Sequence, residues 1–177
     1  MSKRYPSLPC LWLISDARND AALEAALRQL PRGSGLVFRH YHLSEPERRA
    51  RFRQLRRLAR LRGNAVVLAG TMREARRWGA DGAYGSASAL AKGPAGLRLA
   101  TAHSSRELRR AARADAALLS PVFATRSHPG AGALGPLRFL LMAQKSRIPV
   151  LALGGMTPRR AARMPLRGWA AIDGLSP

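Results

Sequence analysis

The chain has 177 residues, a formal net charge of +21 and 46% hydrophobic residues; of its 31 basic residues only Lys3, Lys92 and Lys145 are lysines. The apolar fraction excludes a disordered polycation, and the length predicts one domain spanning residues 1–177. One cysteine excludes a disulfide framework or a Cys-rich zinc module, and no apolar run approaches the roughly 20 residues of a membrane span.

Short apolar runs alternate with amphipathic segments along the whole chain. The first run follows a basic N terminus and leads directly into Ser15 and Asp16 without a cleavage pattern. It predicts a strand rather than a signal peptide, and hence a cytoplasmic protein. The predicted strands are 11–15, 35–42, 64–70, 82–85, 97–103, 116–123, 149–155 and 169–173. The predicted helices are 20–30, 46–62, 72–78, 105–113, 137–146 and 158–164.

Helix-start signals fall directly after predicted strands. Ser44 with Glu47, Thr71 with Glu74 and Ser104 with Glu107 have the spacing of a capping box, and Thr157-Pro158 combines an N-cap with proline at the first helical position. Strands separated by helices, with Val, Leu, Ile and Ala on both faces, predict parallel pairing. Eight strands favour a single short (β/α)8 TIM barrel with trimmed loops, and little or no helix after the fourth strand; an open doubly wound sheet is the alternative.

The arginines are densest over residues 46–63. There Phe52, Leu55, Leu58, Ala59 and Leu61 recur at helical spacing, which predicts an amphipathic helix with arginine on its solvated face. Aromatic residues that could stack on bases are not interleaved with the arginines. We therefore expect no dedicated nucleic-acid partner, although a basic nucleic-acid-associated protein stays a further alternative.

Ligands of such folds bind beyond the carboxyl ends of the strands. Two segments there predict phosphate sites. In 120–135, Thr125, Ser127 and backbone amides could donate hydrogen bonds to phosphate oxygens, with Arg126 adding charge. In 151–160, Gly154-Gly155 leaves room for a ligand before a predicted helix start. His40 and His42 are predicted on one strand face, but without a third ligand we expect no zinc there.

These motifs, in this order, resemble the thiamine-phosphate synthase/TenI family of barrels from about Leu11 to Asp173. The sequence SPVFATRSHPGAGALG (120–135) resembles the family's Gly-Pro-Val-Phe/Tyr-x-Thr-x-(Thr/Ser)-Lys loop after the sixth strand. GADGAYG (79–85) is similar to its Gly-Ala-Asp-Gly-Val-His segment. The segments at 13–16, 101–104 and 150–156 resemble the family's Leu-Ile-Thr-Asp, Ser-x-His-Ser and Val-x-Ala-Ile-Gly-Gly-Ile.

The resemblance implies a reaction that joins an aminopyrimidine pyrophosphate to a thiazole phosphate, with Mg2+ holding the departing pyrophosphate. It places Thr125 and Ser127 on pyrophosphate-binding hydroxyls, and Gly155, beside Gly154, on a backbone phosphate contact. It places Thr101 on a strand-five serine and Arg39 on the arginine of a Gln-x-Arg-x-Lys motif. His128 replaces the loop lysine, and its near-neutral imidazole makes it, with Arg39, a catalytic candidate.

Several positions depart from the family pattern. Ala69-Gly70 replaces the Asn-Asp pair that closes the third strand, and no Asp or Glu lies between Asp81 and Glu107. Because Mg2+ needs oxygen ligands, usually including carboxylates, we predict no metal-binding residues. Mg2+ is a cofactor only if the family mechanism is retained. The catalytic histidine of the TenI branch falls on Pro121.

The sequence therefore predicts a divergent thiamine-phosphate synthase-like protein of thiamine biosynthesis. It would bind phosphorylated pyrimidine or thiazole ligands at the C-terminal face of the barrel. Because the family's metal-binding Asp residues are absent, synthase turnover is doubtful, and a transferase of the synthase type is only one possible enzyme class. The alternative is a non-catalytic or TenI-like binder of thiamine-pathway phosphates. We expect a small-molecule phosphate as the ligand and no membrane partner. Because members of the family often associate, a homo-oligomer stays an open alternative.

Overall fold

A computed structural model describes residues 8–125 and 132–175. Its eight strands pair in parallel, each with the next, and β8 closes on β1 to form a barrel. The strands are β1 Leu11–Ile14, β2 Gly35–Phe38, β3 Ala65–Ala69, β4 Gly82–Gly85, β5 Leu97–Ala102, β6 Ala116–Leu119, β7 Val150–Ala152 and β8 Trp169–Ala171. The (β/α)8 prediction is confirmed, and the open sheet is wrong.

Helices connect consecutive strands around the outside of the barrel. A 3-10 helix, Ala17–Ala22, leads into α1, and a single turn, α4, follows β4. The α-helices are α1 Leu23–Gln29, α2 Glu45–Leu61, α3 Met72–Trp78, α4 Ala87–Leu90, α5 Ser105–Arg110, α6 Pro136–Gln144 and α7 Pro158–Ala161. No helix in the described ranges is long and apolar enough to span a bilayer.

Strand residues alternate between two apolar layers. In β3, Val67 faces the barrel interior, whereas Val66 and Leu68 face the surrounding helices. Trp12 fills much of the interior and is fully buried, and its indole Nε1 donates to Pro9 O at 2.8 Å. The neighbouring strand has Gly35 opposite this ring because any Cβ there would overlap the indole. The barrel interior is thus a packed core rather than a channel.

The helix starts follow the sequence signals closely. Thr71 and Glu74 form the predicted capping box, as do Ser44 and Glu47. The third prediction is half right: Ser104 accepts from Glu107 N, but the Glu107 carboxylate accepts from His103 N at 2.6 Å. Thr157 caps α7 as predicted.

Two predictions about β2 and α2 are wrong. The predicted strand 35–42 ends at Phe38, because His40 takes a left-handed φ of +43° and turns the chain. In α2, Phe52, Leu55 and Ala59 are buried as predicted, but Leu61 is 71% exposed at the last turn.

Candidate functional site

A cavity of about 1050 Å³ opens at the carboxyl ends of the strands. Its lining comes from the ends of β2, β4, β5, β6, β7 and β8 and from the loops that follow them. The side chains with polar groups that line it are Arg39, Tyr41, Tyr84, His103, Ser120, Thr125, Thr157, Arg160 and Asp173. Two aromatic rings, hydroxyls and two guanidinium groups therefore surround one space, which suits a ligand with both a ring and an anionic group.

Arg39 follows β2 and is held by its backbone on both sides. Its N–H donates to Ser15 Oγ at 2.8 Å, and its carbonyl accepts from Arg48 Nε at 2.8 Å. Arg48 also donates to Ala69 O at 2.9 Å, which ties the ends of β2 and β3 together. The Arg39 guanidinium lies 3.8 Å from the Asp16 carboxylate and is less than one-third exposed.

Tyr84 lies one residue before the end of β4, faces the barrel interior and contributes its ring to the cavity. Burial raises the pKa of its phenol to about 12, although the nearby Arg39 charge acts in the opposite direction. Tyr84 therefore stays protonated at neutral pH and can donate a hydrogen bond to a bound ligand.

The loops after β6 and β7 pack closely against each other beside Thr125. Val122 N donates to Leu153 O at 2.9 Å, and Phe123 N donates to Gly154 O at 3.0 Å. Gly154 and Gly155 have positive φ, and Cβ atoms there would approach Pro121 and the Ala124 carbonyl within 2.8 Å. The glycine pair thus meets a requirement of the fold as well as lining the cavity.

Arg160 brings a second guanidinium to the cavity from the first turn of α7. It donates to the Gly155 carbonyl and stacks on the Phe123 ring, with Cζ 4.4 Å from the ring centroid. These contacts anchor its charge beside the glycine pair, where Arg160 lines the cavity. An arginine that is already ordered loses less entropy when it binds an anion.

His103 lies at the end of β5 with its ring orientation fixed by Ser120. Its Nδ1 is 3.0 Å from Ser120 O and 3.2 Å from Ser120 Oγ, so this nitrogen can donate to the carbonyl in one tautomer or accept from the hydroxyl in the other. In either tautomer His103 lines the cavity.

Carboxylates near the cavity are paired with arginines. Arg18 contacts Asp16 at 3.0 Å and Asp173 at 3.5 Å, and Asp173 lines the cavity. Burial opposes ionisation of Asp16, yet the hydrogen bonds from Arg18 and the charge of Arg39 hold its pKa below the usual value. Within residues 8–125 and 132–175, no three His, Cys, Asp or Glu side chains group as metal ligands.

The structure brings together some of the predicted site residues. Arg39, Thr125, Gly154 and Gly155 line the same cavity, whereas Thr101, half-buried in β5, is not among the lining residues. Ser127 and His128 lie outside the described residues. Neither Arg160 nor Tyr84 was named as a site residue from the sequence. The available signal for Arg160 was its place as the third residue of a predicted helix, and for Tyr84 its place near the end of a predicted strand.

A closed parallel barrel with its cavity at the carboxyl ends of the strands defines the class of (β/α)8 barrels. Within that class, a family model described as thiamine monophosphate synthase matches residues 11–175, and the chain belongs to this family. No curated protein matches the sequence significantly.

Solved structures show the same fold at low sequence identity. Thiamine phosphate pyrophosphorylase from Pyrococcus furiosus superposes with a TM-score of 0.78 at 21% identity, over 97% of this chain and 87% of that one. The thiamine phosphate pyrophosphorylase from Bacteroides thetaiotaomicron superposes with a TM-score of 0.60 at 14% identity, over 94% of this chain and 84% of that one. A HpcH/HpaI aldolase/citrate lyase family protein from Burkholderia cenocepacia J2315 superposes with a TM-score of 0.65 at 15% identity, over 98% of this chain and 92% of that one.

Proposed function

We propose that the protein binds a phosphorylated pyrimidine or thiazole of thiamine biosynthesis in this cavity. The observation that carries the proposal is that Thr125 and Gly155, which the family pattern places on phosphate contacts, line one space with the guanidinium of Arg39, although the three residues come from separate loops. Arg160 adds a second cation there, and Tyr84 lines the cavity with an aromatic ring whose hydroxyl is protonated.

We also propose that the site does not hold Mg2+ in the family manner. Positions 69–70 and 85–86 carry Ala, Gly, Gly and Ser, which offer no carboxylate. Glu74 Oε2 lies 2.8 Å from where a Cβ of residue 70 would stand, but this oxygen accepts from Thr71 N and Oγ in the capping box. Since Mg2+ is usually bound through carboxylates next to the substrate phosphates, these positions do not supply the ligands of the family's metal site.

Calorimetric titration with thiamine phosphate tests the binding proposal. We expect saturable binding, weakened at least about tenfold in Thr125→Ala by the loss of a hydrogen bond to a charged group. Thr71→Ala is the matched control: loss of the α3 N-cap lowers the stability of the fold by about 1 kcal/mol without touching the cavity, so the affinity should be unchanged. An affinity insensitive to Thr125→Ala would contradict the proposal.

A turnover assay with the aminopyrimidine pyrophosphate, the thiazole phosphate and Mg2+ separates a binder from a synthase. We expect no thiamine phosphate above the level of a protein-free reaction; Mg2+-dependent product formation would overturn the second proposal and leave the first standing. A cytoplasmic location and a homo-oligomer stay predictions.

A further inference from the structure

We propose that Ser15, His40 and Asp20 form a hydrogen-bonded relay that positions Arg39 for the anionic group of the ligand. The inference rests on the proposed function, because it assigns to Arg39 the contact with the anion. None of the three residues lines the cavity, so they act through Arg39 as positioning residues.

The relay has a defined direction. Burial opposes ionisation of Asp20, but the hydrogen bonds from His40 and Arg51 lower the pKa of this carboxyl, which therefore only accepts. His40 Nε2, 2.8 Å from Asp20 Oδ1, must then carry a proton and donate. In the neutral ring Nδ1 accepts from Ser15 Oγ at 2.8 Å, and the same oxygen accepts from Arg39 N at 2.8 Å.

His40 adopts a conformation that costs free energy for a residue with a Cβ. Its φ is +43°, and it is the one non-glycine residue with positive φ in the described part of the chain. Such strain persists only where the surroundings enforce it, and it is concentrated at functional sites. Here the enforcing contacts are the two hydrogen bonds and a stacked Phe38 ring, 4.7 Å away with an interplanar angle of 11°. His40 is 1% exposed.

Charged and titratable groups around His40 come from three directions. Asp20 belongs to the 3-10 helix, Arg51 to α2, and His42 follows on the same loop with its ring centroid 5.1 Å away. Arg51 donates to Asp20 Oδ1 at 2.9 Å and to Glu24 Oε1 at 2.7 Å, which fixes the carboxylate that anchors the relay. Burial and the two neighbouring basic groups outweigh Asp20 and lower the pKa of His40, in keeping with a neutral ring.

The relay acts on Arg39, which lies between β2 and the turn at His40. Arg39 is fixed at its N–H by Ser15 and at its carbonyl by Arg48, so its side chain leaves the backbone from a defined point at the cavity. A group ordered before binding avoids part of the entropy cost of association. Loss of the relay should therefore weaken anion binding even though the Arg39 guanidinium remains.

Calorimetric binding of inorganic pyrophosphate tests this consequence. Arg39→Ala should weaken binding at least about tenfold, and Ser15→Ala about five- to tenfold, because each removes a hydrogen bond on which the anion contact depends. Ser15→Ala should have no further effect in the Arg39→Ala background. Asp20→Ala should reproduce the loss, and Asp20→Asn, which keeps the Oδ1 acceptor, should restore binding. Ser34→Ala, at a buried serine before the opposite end of β2, should change nothing.

The outcomes separate the two claims. If Arg39→Ala lowers the affinity for pyrophosphate but Ser15→Ala and Asp20→Ala do not, the relay is overturned and the proposed function stands. The same holds if Ser15→Ala lowers the affinity equally in the presence and in the absence of the Arg39 side chain. No weakening by Arg39→Ala, or no binding to the unmodified protein, would count against the proposed function and against this use of the relay.

Amide hydrogen exchange tests the relay without a ligand. Ser15→Ala should raise the exchange rate of the Arg39 N–H about tenfold, because it deletes the acceptor of that hydrogen bond, while the Leu36 amide in β2 should keep its rate. An unchanged Arg39 rate would overturn the relay whatever the binding data show.

Discussion

His40 shows how one residue connects stability to protonation. Its folded-state pKa lies below the usual 6.5, mainly because burial disfavours the charged ring. A base with a lowered pKa in the folded state contributes stability that is complete above the unfolded pKa and is lost as the pH falls through the folded one.

We therefore expect the free energy of unfolding to fall as the pH drops below about 6.5, with a slope of at most about 1.4 kcal/mol per pH unit for one proton. Urea unfolding at a series of pH values measures it. The variant His40→Asn, whose side chain tolerates positive φ, should lose this slope. The same slope in both proteins would contradict a neutral His40. Asp16, Asp20, Glu47 and Glu74, whose pKa values are lowered, act only at more acidic pH.

At the same scale, sequence reasoning found cavity residues that belong to motifs and missed those that depend on tertiary position. Arg39, Thr125 and Gly155 lie in motifs that follow strands, so the pattern locates them. Arg160 reaches the cavity only because α7 begins at this face, and Ser15 meets Asp20 only through His40. Contacts between residues 15 and 40 depend on β1 and β2 being neighbours, which no local pattern specifies.

The long helix α2 shows how arginines become part of the fold at the level of elements. Arg56 Nη1 donates to Trp78 O at 3.0 Å and to Gly79 O at 2.9 Å, and Arg60 Nη2 donates to Gly79 O at 3.1 Å. These carbonyls belong to the end of α3, where the helix leaves acceptors unsatisfied and the dipole favours a cation. The solvated face predicted for these arginines is thus partly an interhelical contact.

Neighbouring arginines of α2 provide a matched comparison. Arg56→Ala should lower the free energy of unfolding by about 1–3 kcal/mol, because two carbonyls lose a charged donor. Arg57→Ala, at an exposed position one residue along, should change it by no more than about 0.5 kcal/mol. Urea denaturation gives both values, and equal effects would contradict the capping role of Arg56.

Element existence was predictable from the chain, and element ends were less so. Apolar periodicity located all eight strands because each is buried on both faces. The end of β2 was missed because alternation continues through His40 and His42 while the backbone turns at His40. The box at Ser104 is only half formed because the Glu107 carboxylate accepts from His103 N.

For the whole molecule, part of the +21 charge is engaged in contacts that hold the fold together. Arg48, Arg62 and Arg98 donate to backbone carbonyls, and Arg51 pairs with two carboxylates. The exposed remainder includes Arg49, Arg53 and Arg57 along one side of α2. Such a surface attracts polyanions by charge alone.

We accordingly expect a labelled single-stranded RNA to bind at low ionic strength and to dissociate at physiological salt, as counterion release requires. Fluorescence anisotropy measures this, and the triple variant Arg49→Glu/Arg53→Glu/Arg57→Glu should weaken the low-salt binding. Binding that persists at physiological salt would revive the nucleic-acid alternative.

We propose above that the cavity at the carboxyl ends of the strands receives a phosphorylated ligand. A crystal structure with thiamine phosphate at saturating concentration tests it most directly. We expect the phosphate within hydrogen-bond distance of Gly155 N and Thr125 Oγ, and the ring of the ligand against Tyr84. A ligand bound elsewhere, or a cavity without ligand at saturation, would contradict it.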